Sequence, residues 1–212
     1  MVIAGEQTAG RGRLNRFWLT PGGNIALSII LYPDKSYLPY LVMVSSLAVA
    51  RSIEMVTGLI TQIKWPNDVL INGKKVCGVL AESQMRGEEV AYAVAGIGIN
   101  VRLNPDDFPE IAKTATSLMA ELGKDVSRVE LVRCLLAEFE KYYLSLANAD
   151  TVYQEWRDRL VTLGERVWVE SGRDVLEGIA ESVAKDGSLL LRGSDGALHK
   201  IIAGDVTLSG GQ

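Results

Sequence analysis

The sequence predicts an α+β chain: a mixed or antiparallel sheet with flanking helices, followed by a small β-barrel. Three observations carry this. Apolar runs of strand length dominate as far as about residue 101, with one long helical pattern among them. From about residue 114 to residue 160 the apolar spacing lengthens to that of helices. From Gly164 onward the runs are short again and separated by turn residues. A boundary near Gly164 therefore divides the chain into domains 1–163 and 164–212.

Val2-Ile3-Ala4 is a short apolar run that reads as a strand end. Residues 25–32 form the next strand, entered through the turn cluster Thr20-Pro21-Gly22-Gly23-Asn24. Ser36 is placed to cap a helix running to about Thr57, with Gly58 as its stop. Apolar residues cover more than one face of that helix, which predicts burial. Residues 60–64 read as a strand ending at Trp65-Pro66. Residues 69–71 and 76–80 flank Asn72-Gly73, the dipeptide suited to φ > 0 at both centres of a type I′ turn, and predict a hairpin. Residues 90–101 continue as a strand. Residues 114–122 read as a helix stopped by Gly123. Ser127 and Glu130 form a capping box for a helix to about residue 147, and residues 152–160 form a shorter one. Beyond Gly164, strands are expected at 167–169, 175–183, 188–191 and 199–203. Turns are expected at Ser171-Gly172, Lys185-Asp186-Gly187 and Gly193-Ser194-Asp195-Gly196.

The chain has 212 residues, enough to bury a sizeable core without metals or disulfides, and 48% of them are hydrophobic. A net charge of −4 excludes global attraction to nucleic acid or anionic membrane, so any basic site must be local. Cys77 and Cys134 sit far apart in separate apolar runs and read as core thiols of a reducing compartment. No run of about 18 uninterrupted apolar residues is present, and the N-terminus lacks the pattern of a secretory leader. A cytoplasmic location with no membrane contact is the expectation.

Four places could carry chemistry. In Gln7-Thr8-Ala9-Gly10-Arg11-Gly12-Arg13, glycines let the backbone approach a ligand and guanidinium forks meet carboxylate or phosphate oxygens; a solvated surface turn has the same composition. Arg16 and Trp18 follow closely. Lys64, at the end of a strand before Trp65-Pro66-Asn67-Asp68, would present its ammonium at a sheet edge, either to an anion or to solvent. Gly96-Ile97-Gly98-Ile99-Asn100 lacks the third glycine and the following helix of a dinucleotide fingerprint. Its two glycines share one strand face, leaving room for a flat ligand or for a packed element. His199 has no second metal ligand near it in sequence and reads as structural or solvated.

Taken together, Glu6 to Arg13, Trp18, Lys64-Trp65-Pro66-Asn67-Asp68, Gly78-Val79-Leu80-Ala81-Glu82 and Gly96-Ile97-Gly98-Ile99-Asn100 resemble, in order and approximate spacing, the biotin protein ligases. The resemblance covers nearly the whole chain. It implies a catalytic domain of the class II aminoacyl-tRNA synthetase/biotin ligase type and an SH3-like C-terminal barrel. It also implies a two-step reaction, in which biotin and ATP with Mg²⁺ give biotinyl-5′-adenylate, and biotin then passes to a lysine of a biotin carboxyl carrier protein. Lys64, Arg11 and Arg13 are the implied catalytic residues. Gln7, Gly10, Arg11, Lys64, Gly96 and Gly98 are implied at biotin, and Arg13, Arg16, Trp18 and Asn100 at ATP or the adenylate. The metal ligands are left open, and a homodimer is possible.

The family carries, upstream of the Gly-Arg loop, a strand and helix with a Ser/Thr-Thr-Asn-type segment for the biotin ureido group. Read from Met1, this sequence is expected to lack that part of the pocket, and to lack the winged helix of DNA-binding relatives. A lipoate-type ligase of the same superfamily and a non-catalytic biotin- or adenylate-binding module are the alternative readings.

Overall fold

A computed structural model describes residues 1–171 and 174–208; the turn expected at Ser171-Gly172 runs outside the described residues at Gly172. The first sheet comprises β1 (Val2–Ala4), β2 (Ile25–Leu31), β3 (Gln62–Lys64), β4 (Asp68–Ile71), β5 (Lys74–Arg86) and β6 (Glu89–Ile99). Its strands run in the order β1-β2-β6-β5-β4-β3, and every neighbouring pair is antiparallel. Strand alternation sorts its two faces. Ile25, Leu27, Ile63, Val69, Cys77, Val79, Ile97 and Ile99 are all buried on one of them. That face packs on helix α1 (Leu41–Thr57). The short helix α2 (Leu118–Leu122) follows β6; α3 (Arg128–Leu144) packs on α1, as does α4 (Ala149–Asp158). The helical stretch Lys35–Thr57 is long and apolar enough, by length and composition, to cross a membrane. Here its apolar surface is the centre of the core, with Val44, Leu47, Ala48 and Ile53 fully buried.

Two helix starts differ from expectation. Ser36 does not cap α1: residues Lys35–Tyr40 form a 3₁₀ segment, and the α-helix begins at Leu41. Pro39 lies inside that segment, where its missing N–H and the restriction on the residue before it disfavour regular α-helix. In the 114–122 stretch only Leu118–Leu122 is helical, capped by the Ser117 side chain accepting from the Ala120 amide. Residues 114–116 instead run beside β5, with Lys75 N donating to Thr114 O and Thr116 N donating to Lys75 O. The hairpin at Asn72-Gly73 is as expected, with φ of 51° and 76°, as is the left-handed Gly58 after α1.

The C-terminal sheet contains β7 (Arg166–Ser171), β8 (Asp174–Val183), β9 (Leu189–Gly193), β10 (Leu198–Ile201) and β11 (Asp205–Leu208), ordered β10-β9-β8-β7-β11. Strand β11 has no counterpart among the sequence expectations. The sheet seats on the first unit through Trp65 Nε1, which donates to Gly187 O at 2.8 Å, and Tyr153 OH, which donates to Val183 O at 2.6 Å. One apolar cluster runs through both parts, joining Ile63 and Trp65 to Val167 and Leu189.

Candidate functional site

The site is built on the sheet face away from α1. Backbone register aligns Lys64 with Asp68, Asp68 with Gly78, Gly78 with Gly98, Gly98 with Ala26 and Ala26 with Ala4. Paired residues point to the same face. One row across the sheet thus carries a cation and a carboxylate at one end and only glycine or alanine for the rest of its length. Gly96, between Ser28 and Leu80, extends the flat ground along β6. This is a surface shaped for a planar, apolar ring with an anionic tail.

Above the row lies a cavity of about 660 Å³, walled by the Gly-Arg loop on one side and by Glu170, Asp205, Val206 and Thr207 of the C-terminal sheet on another. The loop is a small hairpin with its own hydrogen bonds. Trp18 N donates to Gly10 O at 3.0 Å, Gly12 N to Arg16 O at 2.7 Å, and Gln7 N to Thr20 O at 3.3 Å. Its tip turns through Leu14 at φ 53°. The close approach at Gly10 is therefore to the loop's own returning strand, where a Cβ would overlap the Trp18 carbonyl. The Thr20 hydroxyl donates to Gln7 Oε1 at 2.9 Å, which orients the Gln7 amide at the cavity wall.

Trp18 folds down from the loop onto the row. A Cβ on Gly98 would overlap its indole, and one on Gly78 would lie 3.1 Å from the ring. Lys75 Nζ stands 5.2 Å from the ring centroid.

The cavity gathers five cations, four of them with partners. Arg11 meets Glu82 at 3.0 Å, Arg16 meets Asp205 at 2.6 Å, and Lys75 meets Asp68 at 2.6 Å. Arg13 donates to Asn67 Oδ1 at 3.2 Å and to Gly204 O at 3.3 Å. Asn67 is itself fixed by donating to Val79 O at 2.6 Å. Burial pulls the Arg13 guanidinium below its usual range, against the opposing pull of Asp205 and Asp68. Among the described residues, the Lys64 ammonium has no hydrogen bond or ion pair. Burial lowers its pKa first of all, Asp68 resists, and Lys75 lowers it further. A half-buried, unpaired ammonium at the end of a flat apolar strip is ready for an anion.

Of the sequence-derived site residues, Gln7, Arg11, Arg13, Arg16, Trp18, Lys64, Gly96 and Gly98 line this one cavity. Gly10 and Asn100 do not: Gly10 faces the loop's own returning strand. Asn100 lies just past the end of β6, buried, with Nδ2 donating to Thr116 O at 3.1 Å, so it ties β6 to the segment before α2. Lys75, Glu82, Glu170 and Asp205 were not anticipated as wall residues. Asp205 belongs to the short strand β11, whose only signal is the alternation of Val206 and Leu208. Cys77 is buried, its thiol pushed up by desolvation, and Cys134 is half-buried; both are free.

Residues 1–100 match the Biotin/lipoate A/B protein ligase family and residues 162–209 the Biotin protein ligase C terminal domain. The biotin--[acetyl-CoA-carboxylase] ligase of Paracoccus denitrificans is 35% identical over 92% of this chain and 85% of its own length. The bifunctional ligase/repressor BirA of Bacillus subtilis is 37% identical over 98% of this chain; the chain spans 66% of that relative's length. Among solved structures, the biotin protein ligase of Aquifex aeolicus in complex with biotin and ATP superposes with a TM-score of 0.82 at 31% identity, covering 97% of this chain and 87% of that one.

Proposed function

The chain belongs to the biotin protein ligase family, and from that premise we propose that it joins biotin to ATP as biotinyl-5′-adenylate and passes the biotinyl group to a lysine of a biotin carboxyl carrier protein. The observation that supports this best is the row Lys64–Asp68–Gly78–Gly98–Ala26, a flat floor with an ammonium at one end. In this reading the bicyclic ring of biotin lies on Gly96 and Gly98, and its valerate chain leads the carboxylate toward Lys64.

In the first step a carboxylate oxygen bonds to the α-phosphorus, the bond from that phosphorus to the bridging oxygen breaks, and pyrophosphate leaves. Two anions are pressed together, so the barrier is largely electrostatic. Lys64 sits between them, while Arg11, Arg13 and Arg16 on the loop take the remaining phosphate charge. Fixed cations in a partly dehydrated cavity lower such a barrier more than water does, because they need no reorganisation. In the second step the carrier's lysine nitrogen attacks the acyl carbon and AMP departs. Until then the mixed anhydride must be kept from water, and Trp18 on its hairpin is the residue suited to cover it.

Mg²⁺ fits as a companion of the triphosphate. Among the described residues no group of three or more metal-ligating side chains is assembled, which suits an ion held by phosphate oxygens, waters and one carboxylate such as Asp205. It would supply charge neutralisation at the leaving pyrophosphate. With its two free thiols, the chain fits the reducing cytoplasm.

Exchange of labelled pyrophosphate into ATP tests the first step. Exchange that requires biotin is the expected result. Exchange supported by lipoate and not by biotin would move the chain to the lipoate branch of the superfamily, and no acid-dependent exchange would leave a binding module.

A further inference from the structure

Strand β3, which carries Lys64, lies at the edge of the first sheet and is only three residues long. One side of it is held by β4, with Lys64 opposite Asp68. The other side is held by residues 159–162, which carry the chain from α4 toward β7. Ile63 N donates to Arg159 O at 3.0 Å and Val161 N to Ile63 O at 2.9 Å, a parallel bridge between Ile63 and Leu160. In a regular parallel pair the next bond would run from Trp65 N to the carbonyl of Val161. Here the Thr162 hydroxyl takes that place and accepts from Trp65 N at 2.9 Å.

Lys64 sits between these two fastenings. Its ammonium has no hydrogen bond or ion pair among the described residues, so its backbone decides where it stands. Pro66 has no N–H, which makes the Trp65 amide the last donor of the strand before the turn. Thr162 and Trp65 are 0% and 1% exposed, so an amide that lost the hydroxyl would stay unpaired. The far ends of the fastening are firm. Two residues past Thr162, Gly164 N donates to Ala180 O in β8 at 2.8 Å, and the Trp65 indole reaches Gly187 O.

We propose that Thr162 is a positioning residue for adenylation: its hydroxyl holds the Trp65 amide and thereby fixes Lys64 at the end of the floor. The inference rests on the biotin reading above. Thr162 touches no substrate and moves no proton; it acts through the backbone of the residue next to Lys64.

The test measures biotin-dependent exchange of pyrophosphate into ATP by the full chain, from neutral to alkaline pH. The variants are Thr162→Val, which keeps the branched shape without the acceptor, and Thr162→Ser, which keeps the oxygen. Thr162→Cys, whose sulfur accepts only weakly, is the graded variant if valine fails to fold. Valine should lower kcat by about tenfold or more, because a shift of about 1 Å at a reacting group can cost about 10². A loosened strand end also admits water to the Lys64 ammonium. Burial holds that group low, with Asp68 and Asp205 raising it and Lys75 and Arg16 lowering it. The alkaline limb of the rate should therefore move up toward 10.5 in the valine variant. Serine should restore both rate and limb, and cysteine should fall between the two. A lower melting temperature with kcat and limb unchanged would assign the hydroxyl to the fold alone. A loss that serine does not repair would mean that something other than the oxygen was removed; either result overturns the proposal. A wild-type chain with no biotin-dependent exchange would overturn the biotin reading, whereas an active wild type matched by its valine variant would overturn this inference only.

Discussion

The indole of Trp18 occupies the space that a side chain on Gly98 would need. The floor of the site is thus made of missing side chains, and in the free chain the molecule fills it with its own ring. A ligand that uses the floor must lift Trp18 off, and the hairpin carrying Trp18 can then close above it.

Gly98→Ala should therefore weaken biotin binding by at least about tenfold, because one methyl group in a close-packed contact forces the ring away from the strand. Titration calorimetry reads the loss. The same variant should shift Trp18 fluorescence in the absence of any ligand. Biotin affinity within twofold of wild type would show that no ring lies on this part of β6.

Removing Lys64 should separate stability from activity. Burial holds its ammonium below the ordinary lysine value of 10.5. The folded chain thus binds this proton less tightly than the unfolded chain does, so the charge opposes folding at neutral pH. Stability from this group rises as pH climbs toward 10.5. Lys64→Met should raise the melting temperature at pH 7, since Asp68 keeps Lys75 as its partner. It should also slow adenylation by about 10²–10³. The wild-type rate should fall on an alkaline limb below 10.5, and Lys64→Arg should remove that limb. A Lys64→Met variant as active as wild type would refute the role.

The C-terminal sheet holds the hairpin from the far side. Asp205 is paired with Arg16 at 2.6 Å, and Gly204 O accepts from Arg13 at 3.3 Å. Asp205→Ala should speed hydrogen exchange at the Gly12 and Trp18 amides, both hydrogen-bonded within the hairpin. Exchange unchanged at those two amides would mean that the hairpin stands without the C-terminal sheet.

The Arg11–Glu82 pair should matter little to folding. Its side chains are 73% and 48% exposed, and exposed pairs contribute less than about 1 kcal/mol. Glu82→Gln should leave the urea midpoint nearly unchanged, which a denaturation curve checks directly. A large shift would point to an order in the loop that backbone bonds alone do not provide.

Much of the site was legible because its parts are motifs with local causes. Glycines at 96 and 98 share a strand face by simple alternation. Lys64 ends a strand because Trp65-Pro66 follows it. Asn72-Gly73 sets the hairpin that brings β5 beside β4. What local pattern could not carry were the long-range consequences. Lys75 faces the cavity only because a bulge forms at Val76 against β4, and no feature of Lys74-Lys75 announces that. Asp205 reaches the site because β11 pairs with β7, which places a residue near the end of the chain against a loop at its start. At Asn100 the structure differs in the other direction. Asn100 continues the motif in sequence, but β6 ends at Ile99, and its amide turns to Thr116.

The chemistry proposed for this cavity is the making of an acyl-adenylate from biotin. Mass spectrometry of the nucleotide products after incubation with biotin, ATP and Mg²⁺ tests it most directly. Biotinyl-5′-AMP should accumulate bound to the wild-type chain and be lost in Lys64→Ala. A folded wild-type chain that leaves ATP intact in the presence of biotin would contradict the account.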